Sequence, residues 1–398
     1  MYYIRSLRDN FLENLNNDLI LVLSGARQTG KTTFLKHVLH ELEKKQRCFF
    51  VNLEDPEFLD ILNKHPDNIF KITNTPPTEK QTIFIDEIQY LNDPSNFLKY
   101  IYDEYKGTVK LIVSGSSSFY LDTRFKDSLV GRKRLFRMYT LDFVEFLRFK
   151  EKSELSDEIS KSGSIGLLQK KELIPLFTEY ITYGGYPAVV LENNYENKEL
   201  LLSEIALDYI KKDIYEANIQ DQNKYYFILK MLARQAGSLV NNNEIANTLG
   251  IAATTVEKYL YIMQKSFQLA LIRPFYSNVR KELTKMPKVF FYDTGLRNYF
   301  AGSFENIELR EDKGALLENI VFRELLFRNS IEAIKFWRTQ NKNEIDFIVN
   351  EKQAFEVKFK KSECRESRYN LFKTAYPQID FSFITYEDVI QLGLKQQV

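Results

Sequence analysis

The segment LILVLSGARQTGKTT, residues 19–33, joins an apolar run to a glycine-containing loop and the start of a helical pattern. Its first five residues predict a buried strand, and Thr33–Lys45 predicts a helix. Between them GARQTGKT, residues 25–32, has the spacing G-x-x-x-x-G-K-[ST]. Gly25 and Gly30 let successive backbone N–H groups turn inward around a phosphate, and the helix start adds its positive end. The sequence therefore predicts a phosphate-binding loop, and these flanks disfavour the alternative of a turn without a ligand.

The side chains of this loop predict a nucleoside triphosphate and Mg²⁺ as its ligands. Lys31 is placed to reach the β- and γ-phosphates, and the Thr32 hydroxyl is placed to coordinate Mg²⁺. We expect the nucleotide to be ATP. The other predicted nucleotide contacts are Gly25, Ala26, Arg27, Gln28, Thr29, Gly30 and Thr33.

Two carboxylates follow another predicted buried strand, Thr82–Ile85. Asp86 and Glu87 stand at its carboxyl end, where the ligands of open α/β sheets bind. Asp86 is placed to hold Mg²⁺ through water, as a Walker B aspartate does, and Glu87 is placed to polarise the attacking water as the catalytic residue. The alternative role for the pair is to cap the N-terminus of a helix.

Further apolar runs predict a parallel sheet covered on both faces by helices, which is an α/β fold. The predicted strands are 19–23, 48–51, 82–85 and 110–113, with 133–138 as a further strand. We assign residues 1–150 to this P-loop NTPase domain. The segment Pro66–Lys80, with Pro76 and Pro77, predicts a surface connection.

Two further groups in this domain are candidates for contact with the γ-phosphate. Ser114 begins the segment Ser114–Ser117 at the end of a strand and is a predicted nucleotide contact, with an ordinary turn as the alternative. Arg132 and Arg134 follow a loop and are candidates for stabilising charge in the transition state. The alternative is that both arginines lie at the surface in solvent, and the sequence does not decide which of them acts.

Composition excludes several classes of protein. The chain has 398 residues, enough for two or three domains, and 44% of them are hydrophobic. Two cysteines and three histidines leave no disulfide framework and no metal site built from Cys or His. No run approaches the roughly 18 apolar residues of a membrane span, and the N-terminus lacks the apolar core of a secretory signal, so we expect a cytoplasmic protein without a membrane partner. The net charge of +1 does not favour nonspecific coating of nucleic acid.

The motifs of the first domain together resemble those of a known family. GARQTGKTT (25–33), IFIDEIQ (83–89), VSGSSS (113–118) and LVGRKRLFRMYTLDFVEFL (129–147) are similar to the prokaryotic AAA-type ATPases related to the archaeal ATPases. The resemblance implies ATP hydrolysis and a catalytic glutamate directly after the Walker B aspartate. It also implies an extra strand between the P-loop strand and the Walker B strand.

The middle of the chain, residues 151–275, has mostly helical patterns. Glu151–Gly166 is rich in Ser, Glu, Lys and Gly and predicts a flexible boundary or exposed loop. A winged-helix-like module is predicted at about 225–275, where two short helices flank Gly250 in a helix-turn-helix outline. Its recognition helix, 253–263, carries few of the Arg, Lys, Asn and Gln side chains that read bases, so contact with DNA and contact with protein both stay open.

Residues 276–398 return to mixed strand and helix patterns. FFYDTGL (290–296) and the pattern from Gly314 to Lys358 resemble the C-terminal domain of unknown function that is fused to these ATPases. The resemblance implies a restriction-endonuclease-like α/β fold, because that domain is thought to be related to such nucleases.

Four charged residues of this domain form a third candidate site. Glu318 opens a predicted helix, Asp346 lies inside an apolar strand, and Glu356 and Lys358 share one face of the next strand. Asp346 and Glu356 are predicted Mg²⁺ ligands, and Lys358 is placed to orient the water, which makes these three candidate catalytic residues for nucleic-acid cleavage. The alternative is a set of salt bridges within a strand pair.

The sequence thus predicts an ATP-hydrolysing protein whose output stays open between two classes. One is an enzyme that cleaves nucleic acid with its C-terminal domain. The other is a regulatory switch whose C-terminal half only binds protein or DNA. Convergence of Glu318, Asp346, Glu356 and Lys358 in an open basic cleft favours the enzyme, whereas a Lys358 that is salt-bridged and capped by apolar side chains favours the switch. The oligomeric state is not predicted.

Overall fold

A computed structural model describes residues 3–115, 129–162, 165–216, 219–276, 282 and 285–394. The chain forms two compact units. The first comprises Met1–Tyr139 with Lys265–Phe267, and the second comprises Thr140–Gln264 with Gln268–Val398.

The first unit is built on a parallel sheet of five strands. The strands are β1 (Ile20–Gly25), β2 (Arg47–Asn52), β3 (Gln81–Asp86), β4 (Val109–Gly115) and β5 (Lys133–Met138). Their order in the sheet is β2-β3-β4-β1-β5, so β4 lies between β1 and β3. The predicted α/β class and the predicted strand inserted between the P-loop strand and the Walker B strand are both confirmed.

Helices cover both faces of this sheet, as apolar strands buried on both sides require. They are Arg8–Glu13, Lys31–Leu42, Pro56–Lys64, Ile69–Thr73 and Pro94–Glu104. Alternate residues of β1 enter opposite cores, with Ile20 and Val22 in one and Leu21 and Leu23 in the other. The site-bearing strands β1 and β3 are buried along their whole length, so their ends are held rigidly.

The prediction of a plain surface connection at Pro66–Lys80 is wrong for its first half. The chain there forms a 3₁₀ turn, Pro66–Asn68, and the short helix Ile69–Thr73. Ile69 is fully buried in a core of the first unit. The consecutive prolines mark only the end of this segment, and the apolar residues before them pack inward.

The helical part of the second unit contains a series of consecutive helices. They are Phe143–Phe149, Ser153–Ser162, Leu167–Tyr183, Pro187–Leu191, Tyr195–Glu216, Gln222–Arg234, Asn242–Leu249 and Ala253–Lys265. Helix Ser153–Ser162 corrects the predicted loop at Glu151–Gly166.

The predicted helix-turn-helix outline appears as two helices. Asn242–Leu249 ends at Gly250, whose left-handed φ of 62° turns the chain toward Ala253–Lys265. The wing and the contact with DNA stay predictions.

The second unit also contains a mixed sheet of six strands. They are β6 (Leu269–Pro274), β7 (Lys288–Phe291), β8 (Ile334–Arg338), β9 (Glu344–Val349), β10 (Gln353–Lys358) and β11 (Asp380–Thr385), in the order β11-β10-β9-β8-β6-β7. Its helices are Thr294–Ala301, Lys313–Leu326, Asn370–Ala375 and Tyr386–Leu394.

The predicted α/β character of the C-terminal part is confirmed, and its restriction-endonuclease-like character stays a prediction. Strand β6 lies before residue 275, within the region predicted as helical, yet it pairs with β7 and β8. The domain boundaries at 150 and 275 stay predictions about folding units.

Candidate functional site

The predicted phosphate-binding loop connects the last residue of β1 to the first residue of helix Lys31–Leu42. A Cβ on Gly25 would lie 2.1 Å from the carbonyl oxygen of Met138 at the end of β5, so only glycine fits there. Gly30 has a left-handed φ of 91°, which glycine adopts without strain. The two glycines of the motif therefore serve different needs, close packing at one and backbone conformation at the other.

Lys31 folds back over its own loop. Its Nζ donates hydrogen bonds to the carbonyl oxygens of Gly25 at 3.0 Å and Ala26 at 2.8 Å. Burial lowers the pKa of Lys31 to about 8, although Glu87 and Asp86 act in the opposite direction. The ammonium group thus lies inside the loop, next to the backbone that would surround a phosphate.

Asp86, the last residue of β3, is the centre of the site. The Thr32 hydroxyl donates to its Oδ2 at 2.6 Å, and the Ser114 hydroxyl donates to its Oδ1. The strand order explains why these three side chains are in contact, because the ends of β1, β4 and β3 are neighbours along one edge of the sheet. Hydroxyl and carboxylate oxygens are ligands that suit Mg²⁺, so these residues fit the predicted cation.

Glu87 follows in a strained backbone conformation, with φ 57° and ψ 48°. Its N–H donates to the Ser114 hydroxyl oxygen at 3.2 Å, and its Oε2 accepts a hydrogen bond from Gln89 Nε2. Gln89 was not predicted as a site residue, although it belongs to the segment IFIDEIQ. The structure thus brings Lys31, Thr32, Asp86, Glu87 and Ser114 together.

Arg132 does not lie in this group, which corrects its prediction as a nucleotide contact within its own chain. It directly precedes β5, and its carbonyl oxygen accepts a hydrogen bond from the N–H of Ile20, the first residue of β1. Because β1 and β5 are parallel, Arg132 is at the opposite end of the sheet from the loop that follows Gly25. Its Nε binds Asp103 at 2.8 Å.

Two further outcomes concern neighbouring predictions. Arg134 pairs in register with Leu21, also near the start of β1, and donates to Asn14. Ser116 and Ser117 lie outside the described residues.

Arg5 supports the loop and was missed by the sequence analysis. Its guanidinium donates to the carbonyl oxygens of Thr29 at 2.7 Å and Tyr139 at 2.8 Å. It therefore connects the phosphate-binding loop to the residue after β5. No motif marks an arginine near the N-terminus for this role.

The C-terminal candidates also converge, but in an arrangement rich in salt bridges. Asp346 Oδ2 accepts a hydrogen bond from the N–H of Val357 at 2.9 Å. Glu356 Oε1 lies 2.5 Å from Lys358 Nζ and accepts a hydrogen bond from the Tyr369 hydroxyl at 2.8 Å. Burial, followed by the charge of Asp346, raises the pKa of Glu356 to about 7. Lys358 is thus engaged by one of the predicted ligands.

A residue that the sequence analysis missed, Lys288, lies among these carboxylates. Its Nζ is 2.5 Å from Glu344, 3.4 Å from Asp346 and 3.8 Å from Glu318, and its side chain is 2% exposed. Burial alone would lower the pKa of Lys288, but the neighbouring carboxylates, Glu318 first, raise it above its usual value. Lys288 is therefore held in its charged form.

We call these residues the carboxylate cluster: Glu318, Glu344, Asp346 and Glu356, with Lys288 and Lys358. Within the described part of the chain, no three His, Cys, Asp or Glu side chains meet in a geometry that could hold a metal ion. The cluster as it stands does not fit the divalent cation predicted at Asp346 and Glu356, because the Lys288 ammonium already lies 3.4 Å from Asp346 and Lys358 is paired with Glu356.

The recognition helix predicted at 253–263 is the helix Ala253–Lys265 in the structure, and it turns a mixed set of side chains toward solvent. Glu257 and Lys258 are adjacent and both exposed, so their charges offset each other.

Among the residues that the structure describes, no helix is both long and apolar enough to cross a membrane.

Comparison with protein families matches three segments of the chain. Residues 17–147 match an AAA domain, residues 174–306 match a domain of unknown function (DUF8612), and residues 313–397 match another (DUF4143). The first segment contains Lys31, Asp86 and Glu87. A P-loop AAA-like fold of the first unit is therefore supported by a family match as well as by its strand order.

Similar proteins occur in archaea and bacteria. The uncharacterized protein MJ1544 of Methanocaldococcus jannaschii is 25% identical over 93% of this chain and 82% of its own length. An uncharacterized protein of Haemophilus influenzae is 28% identical over 86% of this chain and 83% of its own length. The uncharacterized protein Rv2008c of Mycobacterium tuberculosis is 23% identical over 85% and 70%.

Two solved structures resemble the chain at low scores. Cdc6p from Pyrobaculum aerophilum has a TM-score of 0.33 at 13% identity, covering 72% of this chain and 91% of its own. The replication initiator DnaA bound to AMPPCP and single-stranded DNA has a TM-score of 0.33 at 18% identity, covering 66% and 90%. At these TM-scores neither likeness supports an argument about function.

Proposed function

We propose that the chain binds ATP with Mg²⁺ at the P-loop and hydrolyses it. The observation that carries this proposal is the position of Asp86, whose carboxylate accepts hydrogen bonds from Thr32 of the P-loop helix and from Ser114 at the end of β4. A hydroxyl and a carboxylate that already touch are arranged as a shared pair of cation ligands. The match of residues 17–147 to an AAA domain supports the same function.

Each residue of the site has a distinct part in the proposed reaction. The N–H groups of the loop and the Lys31 ammonium bind the phosphates. Thr32 and Asp86 would hold Mg²⁺, which supplies neutralisation of the phosphate charge. Glu87 accepts a proton from the attacking water, and the hydrogen bond from Gln89 orients its carboxylate.

The binding step is tested with Lys31→Ala. We expect this variant to lose tight ATP binding, because the loop loses the ammonium group that lies beside its phosphate-binding backbone. Lys36→Ala is a matched control, since Lys36 stands on the same helix with its side chain exposed. Calorimetric titration of both variants with Mg-ATP measures the effect, and wild-type affinity in the Lys31 variant would remove the P-loop assignment.

We further propose that ATP hydrolysis drives a regulatory switch whose C-terminal half binds protein or DNA without cleaving it. The observation that favours this output is the 2.5 Å ion pair between Lys358 and Glu356, which occupies the lysine that a nuclease would need for its water.

Incubation of the full chain with plasmid and single-stranded DNA, in Mg²⁺ or Mn²⁺ with and without ATP, tests this output. We expect no cleavage beyond that of an Asp346→Asn variant. Cleavage that is present in the wild type and lost in Asp346→Asn would establish the nuclease instead.

A further inference from the structure

We propose that the ammonium group of Lys288 permanently takes the place of a divalent cation in the carboxylate cluster, so that the second unit is not a metal-dependent nuclease. The inference extends the output part of the proposed function and does not depend on the ATP part.

The position of Lys288 is the first support. It is the first residue of β7, at the edge of the mixed sheet, and its side chain extends into the unit instead of into solvent. Carboxylates from three different residues lie within 3.8 Å of its Nζ. A second cation at the same place would repel this ammonium at short range in a poorly hydrated interior. Metal binding therefore requires the displacement of Lys288.

The balance of charge is the second support. The cluster contains four carboxylates, from Glu318, Glu344, Asp346 and Glu356. Three cations are paired with them: Lys288, Lys358 and Arg338, whose Nη1 lies 2.5 Å from Glu344. The formal excess is therefore one negative charge, which leaves little attraction for a divalent ion.

The shape of the cluster gives the third support. Glu318 comes from helix Lys313–Leu326, Glu344 and Asp346 come from β9, and Lys288 comes from β7. A single ammonium thus joins a helix to two strands that are not neighbours in the sheet. A lysine in this position stabilises the packing of the unit without an added ion. The residues whose pattern resembles a catalytic set would therefore have a structural role.

The experiment measures Mn²⁺ binding to the full chain without nucleotide. An Asp86→Asn background removes the cation site proposed at the P-loop, so the C-terminal cluster can be measured separately from it. In this background we expect electron paramagnetic resonance to detect no bound Mn²⁺, and the midpoint of thermal unfolding to be the same in Mn²⁺ and in chelator. Bound Mn²⁺ that disappears on adding Asp346→Asn would overturn the proposal.

Lys288→Met provides the positive test, because it removes the ammonium while keeping an unbranched side chain of similar length. The uncompensated carboxylates should lower the unfolding midpoint in chelator, and Mn²⁺ should raise it again by binding where the ammonium was. Lys285→Met, which changes an exposed lysine nearby in the sequence, should behave like the background.

If Lys288→Met does not fold, the double variant Lys288→Met with Glu318→Gln takes its place, because it removes one of the carboxylates that the lost ammonium leaves unpaired. Failure of Mn²⁺ to bind or stabilise either folded variant would show that the cluster is not a cation position, and the proposal would be rejected. Neither result bears on ATP binding at Lys31.

Discussion

Thr32 Oγ1 donates a 2.6 Å hydrogen bond to Oδ2 of Asp86. Thr32 is the second residue of the P-loop helix, and Asp86 ends β3, with β4 between that strand and the P-loop strand. The contact holds a hydroxyl and a carboxylate at a fixed spacing before any ligand arrives. Such prior positioning reduces the entropy that binding has to overcome.

Asp86→Asn should weaken ATP binding in Mg²⁺ and leave ATP binding in chelator unchanged. The amide keeps an oxygen that can accept the bond from Thr32, but it has no charge to hold the cation. Calorimetric titration in both conditions measures the difference. Asp60→Asn, at an exposed carboxylate in helix Pro56–Lys64, is the matched control. An equal loss with and without Mg²⁺ would point to a structural role for Asp86.

ATP affinity should fall as the pH rises above about 8. Burial lowers the pKa of Lys31 to about 8 in the structure, and only the charged ammonium binds phosphate well. The affinity should therefore be level below that pH and then decrease by up to about tenfold for each further pH unit. Titrations across this range measure it, with Lys31→Arg as the control that keeps its charge. A wild-type profile as level as that of Lys31→Arg would contradict the prediction.

Glu87→Gln should keep ATP bound and slow its hydrolysis. Glutamine preserves the shape of the side chain but cannot accept the proton of water, and a general base contributes roughly 10²–10⁴-fold. Single-turnover hydrolysis measures the chemical step apart from product release. Glu104→Gln, at an exposed position of the same unit, should hydrolyse ATP at the wild-type rate. An unchanged rate in Glu87→Gln would mean that another group activates the water.

Glu324 should make the second unit less stable as the pH rises toward neutrality. Burial raises the pKa of this carboxyl from 4.5 to about 7, with Arg323 and Arg328 opposing the change. The folded chain therefore binds more protons than the unfolded chain between these two values. The contribution to stability is complete below the unfolded pKa and is lost as the pH rises through about 7. At about 1.4 kcal/mol for each pKa unit, the loss is roughly 3 kcal/mol.

Glu324→Gln should remove this dependence, because the amide has no proton to lose. Its unfolding midpoint relative to the wild type should rise between about pH 5 and about pH 8. Glu332→Gln changes an exposed carboxyl of the same unit and should follow the wild type. A constant difference between Glu324→Gln and the wild type at both pH values would contradict the assignment.

The first unit was predictable because its signals are local. The strand at 133–138 agrees with β5 residue for residue. The strand predicted at 19–23 stops two residues before the end of β1, and the helix predicted from Thr33 begins at Lys31. Ser114 was also singled out, from the run of small residues that begins at the end of β4. These predictions depend on short segments in which the residues that set the backbone conformation stand next to the residues that would bind the ligand.

The residues that were missed act over long distances in the sequence. Arg5 supports Thr29, and Lys288 reaches Asp346, 58 residues away. A single sequence carries no mark that a lysine at the start of an apolar strand will face carboxylates on other strands. Arg132 was misplaced for a similar reason, because the sequence places it after a loop but does not say which end of the sheet that loop reaches.

The backbone conformation of Glu87 determines which substitutions at this position would stabilise the protein. Its φ of 57° is a conformation that costs a non-glycine residue about 1–2 kcal/mol, whereas glycine adopts it freely and asparagine at a lower cost. Selection of random variants for heat resistance alone should therefore enrich Gly or Asn at position 87. Selection that also demands ATP turnover should retain the glutamate. The two selections would therefore give different residues at position 87.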